Sequence, residues 1–415
     1  MHRAPINIIF IVLSINFILD AYVFNGIKTL TKQWRTQRQR MARWGYLIIT
    51  LGLAALLLIN IGRLRTAKGM IPYYEWVLSL FLTLLITKIF FSVILLLGDT
   101  GRGIAGIVNK INPKHTGPAI PSRRRFIGQA ATIFAAIPFG SFLYAMLEGK
   151  YDYRVHRETL YFDDLPPAFD GFTITQLSDI HSGSFDSTHG VQKGIDLAKA
   201  QNSDLFVFTG DLVNNAAWEI EPWLGRFGSI KAPYGQYSIL GNHDYGDYIE
   251  WNSEQEKAEN LEKLKDHHKT LGYRLLLNEN ISIEKNGQNI TLLGVQNWGR
   301  GFKQLGDLDK ALENADPNGF KILLSHDPTH WEEKVRYHPT HIHLTLSGHT
   351  HGAQFGVESD KLRWSPVQYR YLDWAGPAQD NGRHLYVNRG FGFLAFSGRL
   401  GIWPEVTVIT LKRKA

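Results

Sequence analysis

The sequence predicts a bundle of four transmembrane helices followed by an α/β domain with buried sheets. Four long apolar runs lie within the first 150 of the 415 residues. After them, short β-rich runs alternate with helix-like stretches. The charge divides in the same way: residues 1–150 hold 18 Lys/Arg against four Asp/Glu, and residues 151–415 hold 27 against 34. We therefore predict a membrane anchor in residues 1–150 and a second domain in residues 151–415.

The four apolar runs have the length of membrane-spanning helices. Each reaches or nearly reaches the ~20 residues that are needed to cross a bilayer. The third run contains Glu75 and Lys88, which must either extend to the interface or face other helices. Four such runs in so short a segment disfavour the alternative of buried helices in a large soluble domain. We predict spanning helices at residues 5–24, 45–62, 71–97 and 127–147.

The basic residues of the loops orient these helices, because Lys and Arg are enriched in cytoplasmic loops. The first and third loops each contain six Lys/Arg, whereas the second contains only Arg63, Arg65 and Lys68. The two richer loops should therefore lie in the cytoplasm. We expect a multi-pass plasma (inner) membrane protein whose N-terminus, and everything after Leu147, lie on the extracytoplasmic side.

A short basic segment before the fourth run supports the same orientation. Residues 122–127, with the sequence SRRRFI, resemble the twin-arginine export signature, although they are internal rather than N-terminal. The alternative is a cluster of positive charges on the cytoplasmic side of a helix. Both interpretations place the C-terminal domain outside the cytoplasm, and the first adds that this domain folds before export.

From Asp152 onward, the pattern changes to strands and helices. Stretches 189–202 and 253–272 have helical spacing of apolar residues. Continuous apolar strands that alternate with helices indicate an α/β fold with buried sheets. The predicted strands are residues 172–179, 204–211, 235–242, 289–296, 320–327, 341–349, 384–390 and 405–413.

Polar side chains follow five of these strands, where α/β folds bind their ligands. They are carboxylates, imidazoles and an amide, which suit divalent metals such as Mn, Fe, Zn or Co. Taken singly, each set also fits a turn, a helix cap or a core histidine. Five sets in succession favour a metal site. The sets are Asp179 with His181; Asp211; Asn242 with His243 and Asp244; His326 with Asp327; and His349 with His351.

These motifs resemble the calcineurin-like metallophosphoesterases, especially their transmembrane or exported branch. The family pattern is Asp-x-His, Gly-Asp, Gly-Asn-His-Asp/Glu, His and Gly-His-x-His. It is present here, in that order, as SDIH, TGDLVN, LGNHD, LLSHDP and SGHTHG. The match spans roughly residues 170–412, and no motif position is missing. The resemblance implies a β-sandwich of two mixed sheets flanked by helices.

The resemblance also implies a centre of two divalent metal ions, with Mn, Fe and Zn as candidates. The first metal would be bound by Asp179, His181 and His351, the second by Asn242, His326 and His349, and Asp211 would bridge both. Two metals ~3.5–4 Å apart can hold a bridging hydroxide as nucleophile and clamp a phosphoryl oxygen. In an extended segment, His349 and His351 would share a face and could serve adjacent metals.

His243 follows a ligand position but is not expected to be a ligand. In the family, this histidine contacts the phosphoryl group and protonates the leaving oxygen. Asp244 would hydrogen-bond His243 and fix its orientation, so that both residues would belong to the catalytic apparatus. The alternative roles for His243 are a third metal ligand or a passive hydrogen bond.

The expected function is a membrane-anchored metallophosphoesterase whose partners are the membrane and a phosphoester, with a lipid or cell-envelope compound among the candidates. A UDP-2,3-diacylglucosamine-type pyrophosphatase is an alternative, but its cytoplasmic substrate conflicts with the predicted topology. A non-catalytic metal-binding sensor is disfavoured because no motif position is lost. A channel or transporter is disfavoured by the few charges in the apolar runs.

Three further observations bear on the function. The chain contains no cysteine, which excludes disulfides, Cys-based zinc sites and thiol nucleophiles. No nucleic-acid partner is expected, since the basic third of the chain is explained by membrane helices. Segments 363–376 and 389–403 are rich in aromatics and Arg. They suit either a rim for a lipid head group or packed loops.

Overall fold

A computed structural model describes residues 6–64, 72–111, 121–359 and 361–414 of the chain. The chain divides into two compact units. One contains residues 1–63 and 76–145, and the other contains residues 64–75 and 146–415. Several positions used above lie outside the described residues, namely Pro5, Arg65, Lys68, Ile71 and Lys114.

Each predicted membrane run lies in a long helix. The helices are α1 (Ile6–Leu30), α2 (Thr36–Leu64), α3 (Pro72–Ile111) and α4 (Pro121–Leu147). Proline at the first position of α3 and α4 is favourable, because its missing N–H would be unpaired there anyway. All four helices are long and apolar enough to cross a membrane, and the candidate spans are Phe10–Leu30, Thr36–Ile61, Pro72–Val108 and Arg125–Tyr151.

Lys88 of α3 faces other helices rather than an interface. Its Nζ lies 2.7 Å from Asp20 Oδ1 and donates to Asn16 Oδ1 at 2.9 Å. The Tyr46 hydroxyl donates to Asp20 at 2.5 Å. Charges at membrane depth persist when they are paired in this way, so α1, α2 and α3 are joined by one buried polar network.

The second unit is built on short strands. In chain order they are β1 (Arg154–Phe162), β2 (Thr173–Leu177), β3 (Leu205–Phe208), β4 (Gln236–Ser238), β5 (Arg274–Leu275), β6 (Glu279–Lys285), β7 (Gln288–Gly294), β8 (Lys321–Leu324), β9 (Leu344–Ser347), β10 (Val357–Glu358), β11 (Arg363–Trp364), β12 (Gly376–Asp380), β13 (Arg383–Val387) and β14 (Glu405–Arg413).

These strands form two six-stranded mixed sheets and one small hairpin. The first sheet has the order β1-β14-β2-β3-β4-β5, and the second has the order β12-β13-β9-β8-β7-β6. Strands β2 to β5 are parallel, and so are β7, β8, β9 and β13. Strand β14 is antiparallel to β2, and β6 and β12 are antiparallel to their neighbours. The expected sandwich of two mixed sheets is confirmed.

Alternating side chains pack on the two faces of each sheet. Leu205 and Val207 of β3 lie in the core between the sheets, whereas Phe206 and Phe208 lie on the outer face. Helices cover these outer faces. They are α5 (Thr188–Lys199), α6 (Leu224–Phe227) and α7 (Glu254–Leu271) on the first sheet, and α8 (Leu308–Ala311) and α9 (Pro328–Glu333) on the second.

The eight predicted strands are the eight internal strands of the two sheets. The four edge strands, β1, β5, β6 and β12, are missing from the prediction. Internal strands are buried on both faces and therefore appear as continuous apolar runs. The carboxyl ends of β2, β3, β4, β8 and β9 are followed by the polar motifs, so the sheets bring these motifs together.

Candidate metal centre

The candidate ligands lie in tight turns directly after strands β2, β3, β4, β8 and β9. Five of the seven have a positive φ, which is uncommon for residues other than glycine: Asp179, His181, Asp211, His349 and His351. Such conformations are held only when the surrounding structure enforces them, and they cluster at functional sites. The turns therefore aim these side chains at one point at the expense of local backbone strain.

A first group consists of Asp179, His181 and His351. The atoms of these residues that could bind a metal all lie within 4.8 Å of one another. His351 Nε2 is 3.3 Å from Asp179 Oδ1, and the rings of His181 and His351 are 4.9 Å apart. All three side chains are buried. This is the set that the resemblance assigns to the first metal.

A second group consists of Asp211, His326 and His349, again with donor atoms within 4.8 Å. His326 Nε2 lies 3.1 Å from Asp211 Oδ2 and 3.3 Å from His349 Nδ1. Asn242 donates a hydrogen bond from its Nδ2 to the Tyr248 hydroxyl at 2.7 Å. This leaves its Oδ1 as the atom that could bind a metal.

Asp211 lies between the two groups. Its Oδ2 is 3.5 Å from His181 Nε2 and 3.1 Å from His326 Nε2, so one carboxylate faces a histidine of each group. Its Oδ1 accepts a hydrogen bond from the His243 backbone N–H at 2.8 Å, which fixes the carboxylate. A carboxylate in this position can give an oxygen to each of two cations.

Unpartnered buried atoms indicate what this site requires. His181 Nε2, His351 Nε2 and Asn242 Oδ1 are buried and have no hydrogen-bond partner among the described residues. Buried polar atoms are rarely left unpaired in proteins, and a bound cation would satisfy all three. Imidazole nitrogens and carboxylate or amide oxygens are suitable ligands for Mn, Fe and Zn, so the residues fit two divalent cations.

The pKa values of these groups agree with a cation site. Burial lowers the pKa of His181 to about 3 and that of His349 to about 4, which keeps both rings neutral, the form that binds metals. Burial also opposes the protonation of His326, but Asp211 and Asp179 raise its pKa to about 10. The two carboxylates thus stabilise positive charge at this position.

Backbone and side-chain carbonyls orient three of the rings. Nδ1 of His326 is 2.7 Å from Thr209 O, and Nδ1 of His181 is 3.1 Å from Asn214 Oδ1. Nδ1 of His243 is 2.8 Å from Asn214 O. Each Nδ1–H therefore donates to an oxygen, so that Nε2 is the nitrogen available to a cation or a substrate, an arrangement that typically supports metal-binding histidines.

The prediction that Asp244 hydrogen-bonds the His243 ring is wrong. Asp244 accepts hydrogen bonds from four backbone amides instead, those of Asp211, Leu212, Val213 and Gly241. Its side chain is fully buried beneath the turn after β3, and burial raises its pKa to about 7. Asp244 therefore shapes the Asp211 turn, while the carbonyl of Asn214 orients His243.

The SGHTHG segment is a turn, so the shared face that an extended segment would give His349 and His351 does not arise. His349 and His351 have left-handed φ values of 74° and 51°. The two rings still divide between the groups, but a turn separates them rather than strand alternation. A Cβ at Gly348 would collide with Ser178 and with the Asp179 carboxylate, so this turn requires glycine. The close approach lets the His349 N–H donate to Asp179 Oδ2 at 2.9 Å.

Two residues that support the ligands, Tyr371 and Asn214, were not predicted from the sequence. The Tyr371 hydroxyl is 2.8 Å from His349 Nε2, and Asp327 Oδ2 is 3.4 Å from the same nitrogen. Asn214 supports both His181 and His243, as described above. Asn214 could have been found, since it is the Asn of the TGDLVN motif. Tyr371 could not, because nothing in the sequence links it to His349.

Two family models match the chain. The model described as "Probable Calcineurin-like phosphoesterase, transmembrane domain" matches residues 4–150. The model described as "Calcineurin-like phosphoesterase" matches residues 172–353. The second range contains all seven candidate ligands together with His243 and Asp244.

Curated relatives extend the likeness to nearly the whole chain. The uncharacterized metallophosphoesterase YkuE of Bacillus subtilis (strain 168) is 29% identical over 315 residues, 70% of this chain and 98% of YkuE. An uncharacterized metallophosphoesterase of Helicobacter pylori (strain ATCC 700392 / 26695) is 24% identical over 409 residues, 97% of this chain and 99% of the relative. The "Transmembrane protein with metallophosphoesterase domain" of Bos taurus is 28% identical over 266 residues, 60% of this chain and 54% of the relative. The chain is a membrane protein that belongs to the calcineurin-like metallophosphoesterases, hydrolases of phosphoric esters.

Proposed function

We propose that this protein hydrolyses a phosphoester at a centre of two divalent metal ions. In this proposal, residues 1–150 anchor the chain in the plasma (inner) membrane and residues 151–415 form the phosphoesterase domain on the extracytoplasmic side. One observation carries the dinuclear centre. The Asp211 carboxylate lies between His181 and His326, each of which belongs to a separate group of candidate ligands.

The ligand set determines the charge of the centre. Two divalent metals, when bound, would polarise the phosphoryl oxygen and supply a water-derived nucleophile. Asp179 and Asp211 contribute two negative charges, and the remaining ligands, His181, Asn242, His326, His349 and His351, are neutral when they bind. The loaded centre would therefore keep a net positive charge, which favours an anionic phosphoester.

His243 is suited to proton transfer at the leaving group. Its Nδ1–H donates to Asn214 O at 2.8 Å, which leaves Nε2 free. Its ring lies 4.9 Å from that of His181 and 4.3 Å from that of Tyr248. His243 therefore borders the proposed centre, whereas Asp211 has the bridging position. We assign His243 to the binding of the phosphoryl group and to protonation of the departing oxygen, with Asn214 as the residue that positions it.

The membrane anchor supports a lipid or another cell-envelope phosphoester as substrate, because such compounds are confined to the same surface.

A panel experiment tests the function directly. Purified full-length protein is supplied with Mn²⁺ and assayed for phosphate or alcohol release from phosphomonoesters, phosphodiesters and phospholipids. We expect turnover of at least one class, abolished by a chelator and restored by Mn²⁺. No turnover of any class by metal-loaded protein would contradict the proposal.

A further inference from the structure

One loop presents the most exposed large apolar side chains of the described residues, and it lies beside the metal centre. In this rim loop (residues 366–372), Leu372 is 82% exposed and Tyr369 is 79% exposed. Among the described side chains of helices α1 to α4, the highest value is 78%, at Ile111, the last residue of α3. Large apolar side chains so fully exposed next to a site indicate a binding surface.

The exposure does not come from a loose loop. Tyr371, between the two exposed residues, is buried, and its hydroxyl lies 2.8 Å from His349 Nε2. Its ring packs in a small cluster with Trp374 and Ile402. Because Tyr371 fastens the loop to a candidate metal ligand, Tyr369 and Leu372 are held close to the centre with their side chains in solvent.

Arg370 adds a positive charge to the same surface. Its guanidinium lies 5.6 Å from the centre of the Phe302 ring and 5.4 Å from that of Tyr371. Both rings contact His349, with ring centres 4.9 and 5.5 Å away. Nearby Arg363 is paired with Glu358, whereas no ion pair to Arg370 is found among the described residues. The charge of Arg370 is thus available to an anion near the metal centre.

The other aromatic segment of the sequence does not form such a surface. In residues 389–403, Phe391 and Phe393 are buried in the core of the first sheet, and Arg399 is buried against His351. The structure therefore separates the two segments that the sequence presented as equivalent. Residues 389–403 are a packed loop, and only the rim loop presents apolar groups and a free cation.

We propose that the rim loop binds a lipid that carries the phosphoester, with Tyr369 and Leu372 on its acyl chain and Arg370 on its phosphate. This names the substrate class of the proposed function and rests on it. A water-soluble ester offers no apolar partner to Leu372 or Tyr369, whereas an acyl chain removes both from water. Cationic and aromatic side chains side by side are typical of lipid contacts.

The absence of cysteine from the chain allows a binding test that does not require activity. Leu372→Cys in the metal-free, full-length protein is labelled with a fluorophore, and phosphatidic acid with a nitroxide on its acyl chain is added in mixed micelles. Trp218→Cys and Tyr337→Cys serve as controls, since both residues are exposed but lie outside the rim loop. We expect clearly stronger quenching at residue 372, and equal quenching at the three sites would overturn the proposal.

A charge variant tests the assignment of Arg370. In the labelled Leu372→Cys protein, Arg370→Gln should weaken quenching by the phosphatidic acid. Quenching by a nitroxide-labelled diacylglycerol, which lacks the phosphate, should change much less. An equal effect on both lipids would contradict a contact between Arg370 and the lipid phosphate.

Turnover provides the second readout. The double variant Tyr369→Ser/Leu372→Ser should lower the ratio of kcat/KM for phosphatidic acid to that for 4-nitrophenyl phosphate by about tenfold or more. The control Trp218→Ser/Tyr337→Ser should keep the wild-type ratio. An unchanged ratio in the rim-loop variant would overturn the lipid assignment but leave the phosphoesterase in place. If the wild type hydrolysed no phosphoester at all, the proposed function would fail as well.

Discussion

Asp211 is the residue on which the two groups of ligands depend. Its Oδ2 faces His181 and His326, and its Oδ1 is fixed by the His243 N–H. The backbone N–H of Asp211 donates to Asp244 at 2.9 Å. A left-handed φ at Asp211 is therefore stabilised by a buried carboxylate that is not one of the candidate ligands, which explains why Asp244 belongs to the motif without orienting His243.

His243 should matter for the chemical step rather than for metal binding. His243→Gln should lower kcat for an alkyl phosphoester by about 10²–10⁴-fold, because the leaving alkoxide then lacks a proton donor. The loss should be much smaller with 4-nitrophenyl phosphate, whose leaving group departs without protonation. Steady-state kinetics on both esters, with metal analysis of the purified variant, checks this.

Two outcomes would contradict this role for His243. Equal losses on the two esters would remove the function of proton donor. Loss of metal from the variant would make His243 a ligand, as the close grouping of His181, Asp211 and His243 also permits.

Tyr371 should act through His349. Because the Tyr371 oxygen lies 2.8 Å from Nε2, it can accept the Nε2 proton and leave Nδ1 free to bind. Tyr371→Phe should weaken the affinity of the centre for Mn²⁺ by about 10–100-fold, the usual effect of losing such a partner. Calorimetric titration of the metal-free protein measures this, and Tyr337→Phe, at an exposed position, is the matched control. Wild-type affinity in Tyr371→Phe would refute the positioning role.

At the scale of elements, buried strands were predictable and edge strands were not. Strands β3 and β8 are buried at every residue, so their apolar runs stand out in the sequence. Strand β1, at the edge of its sheet, mixes exposed, half-buried and buried residues and has no such run. The turns after the strands were predictable from their chemistry. Their left-handed backbone was not, because it depends on packing such as that of Gly348 against Asp179.

Helix α7 contributes a pH-dependent element of stability through His268. Burial lowers the pKa of this histidine to about 3 from its ordinary value of 6.5, and its Nδ1 lies 2.9 Å from Ser238 Oγ in β4. Below pH 6.5, the unfolded chain binds a proton that the folded chain does not. Because of this difference, the free energy of unfolding keeps its full value above pH 6.5 and decreases as the pH falls from 6.5 toward 3.

His268→Asn should therefore reduce the acid sensitivity of the fold. The variant does not titrate at this position, so its Tm should fall less between about pH 7 and about pH 4.5 than that of the wild type. Thermal unfolding of the full-length protein, followed by tryptophan fluorescence, measures both Tm values. His189→Asn, on the exposed surface of α5, is the control. An equal fall in wild type and His268→Asn would refute the role of His268.

At the scale of the whole molecule, the predicted topology follows from the loop charges and determines which substrates the site meets. A reporter that is active only outside the cytoplasm, fused after residue 414, should be active, and one that is active only inside should be silent. Replacing the basic residues of the first and third loops by Gln should mix the two orientations. Activity of the cytoplasmic reporter in the unmodified chain would reverse the topology and reopen cytoplasmic lipid precursors as substrates.

The most direct test of the dinuclear centre is the number of metal ions per chain, measured together with turnover. Metal-free, full-length protein is titrated with Mn²⁺, and bound metal and phosphoester hydrolysis are followed in the same sample. We expect hydrolysis to reach its maximum at two bound ions per chain. Asp211→Ala should bind fewer ions and lose activity. Full activity with one ion or none, or an Asp211→Ala variant that keeps both its metals and its activity, would contradict the bridged centre.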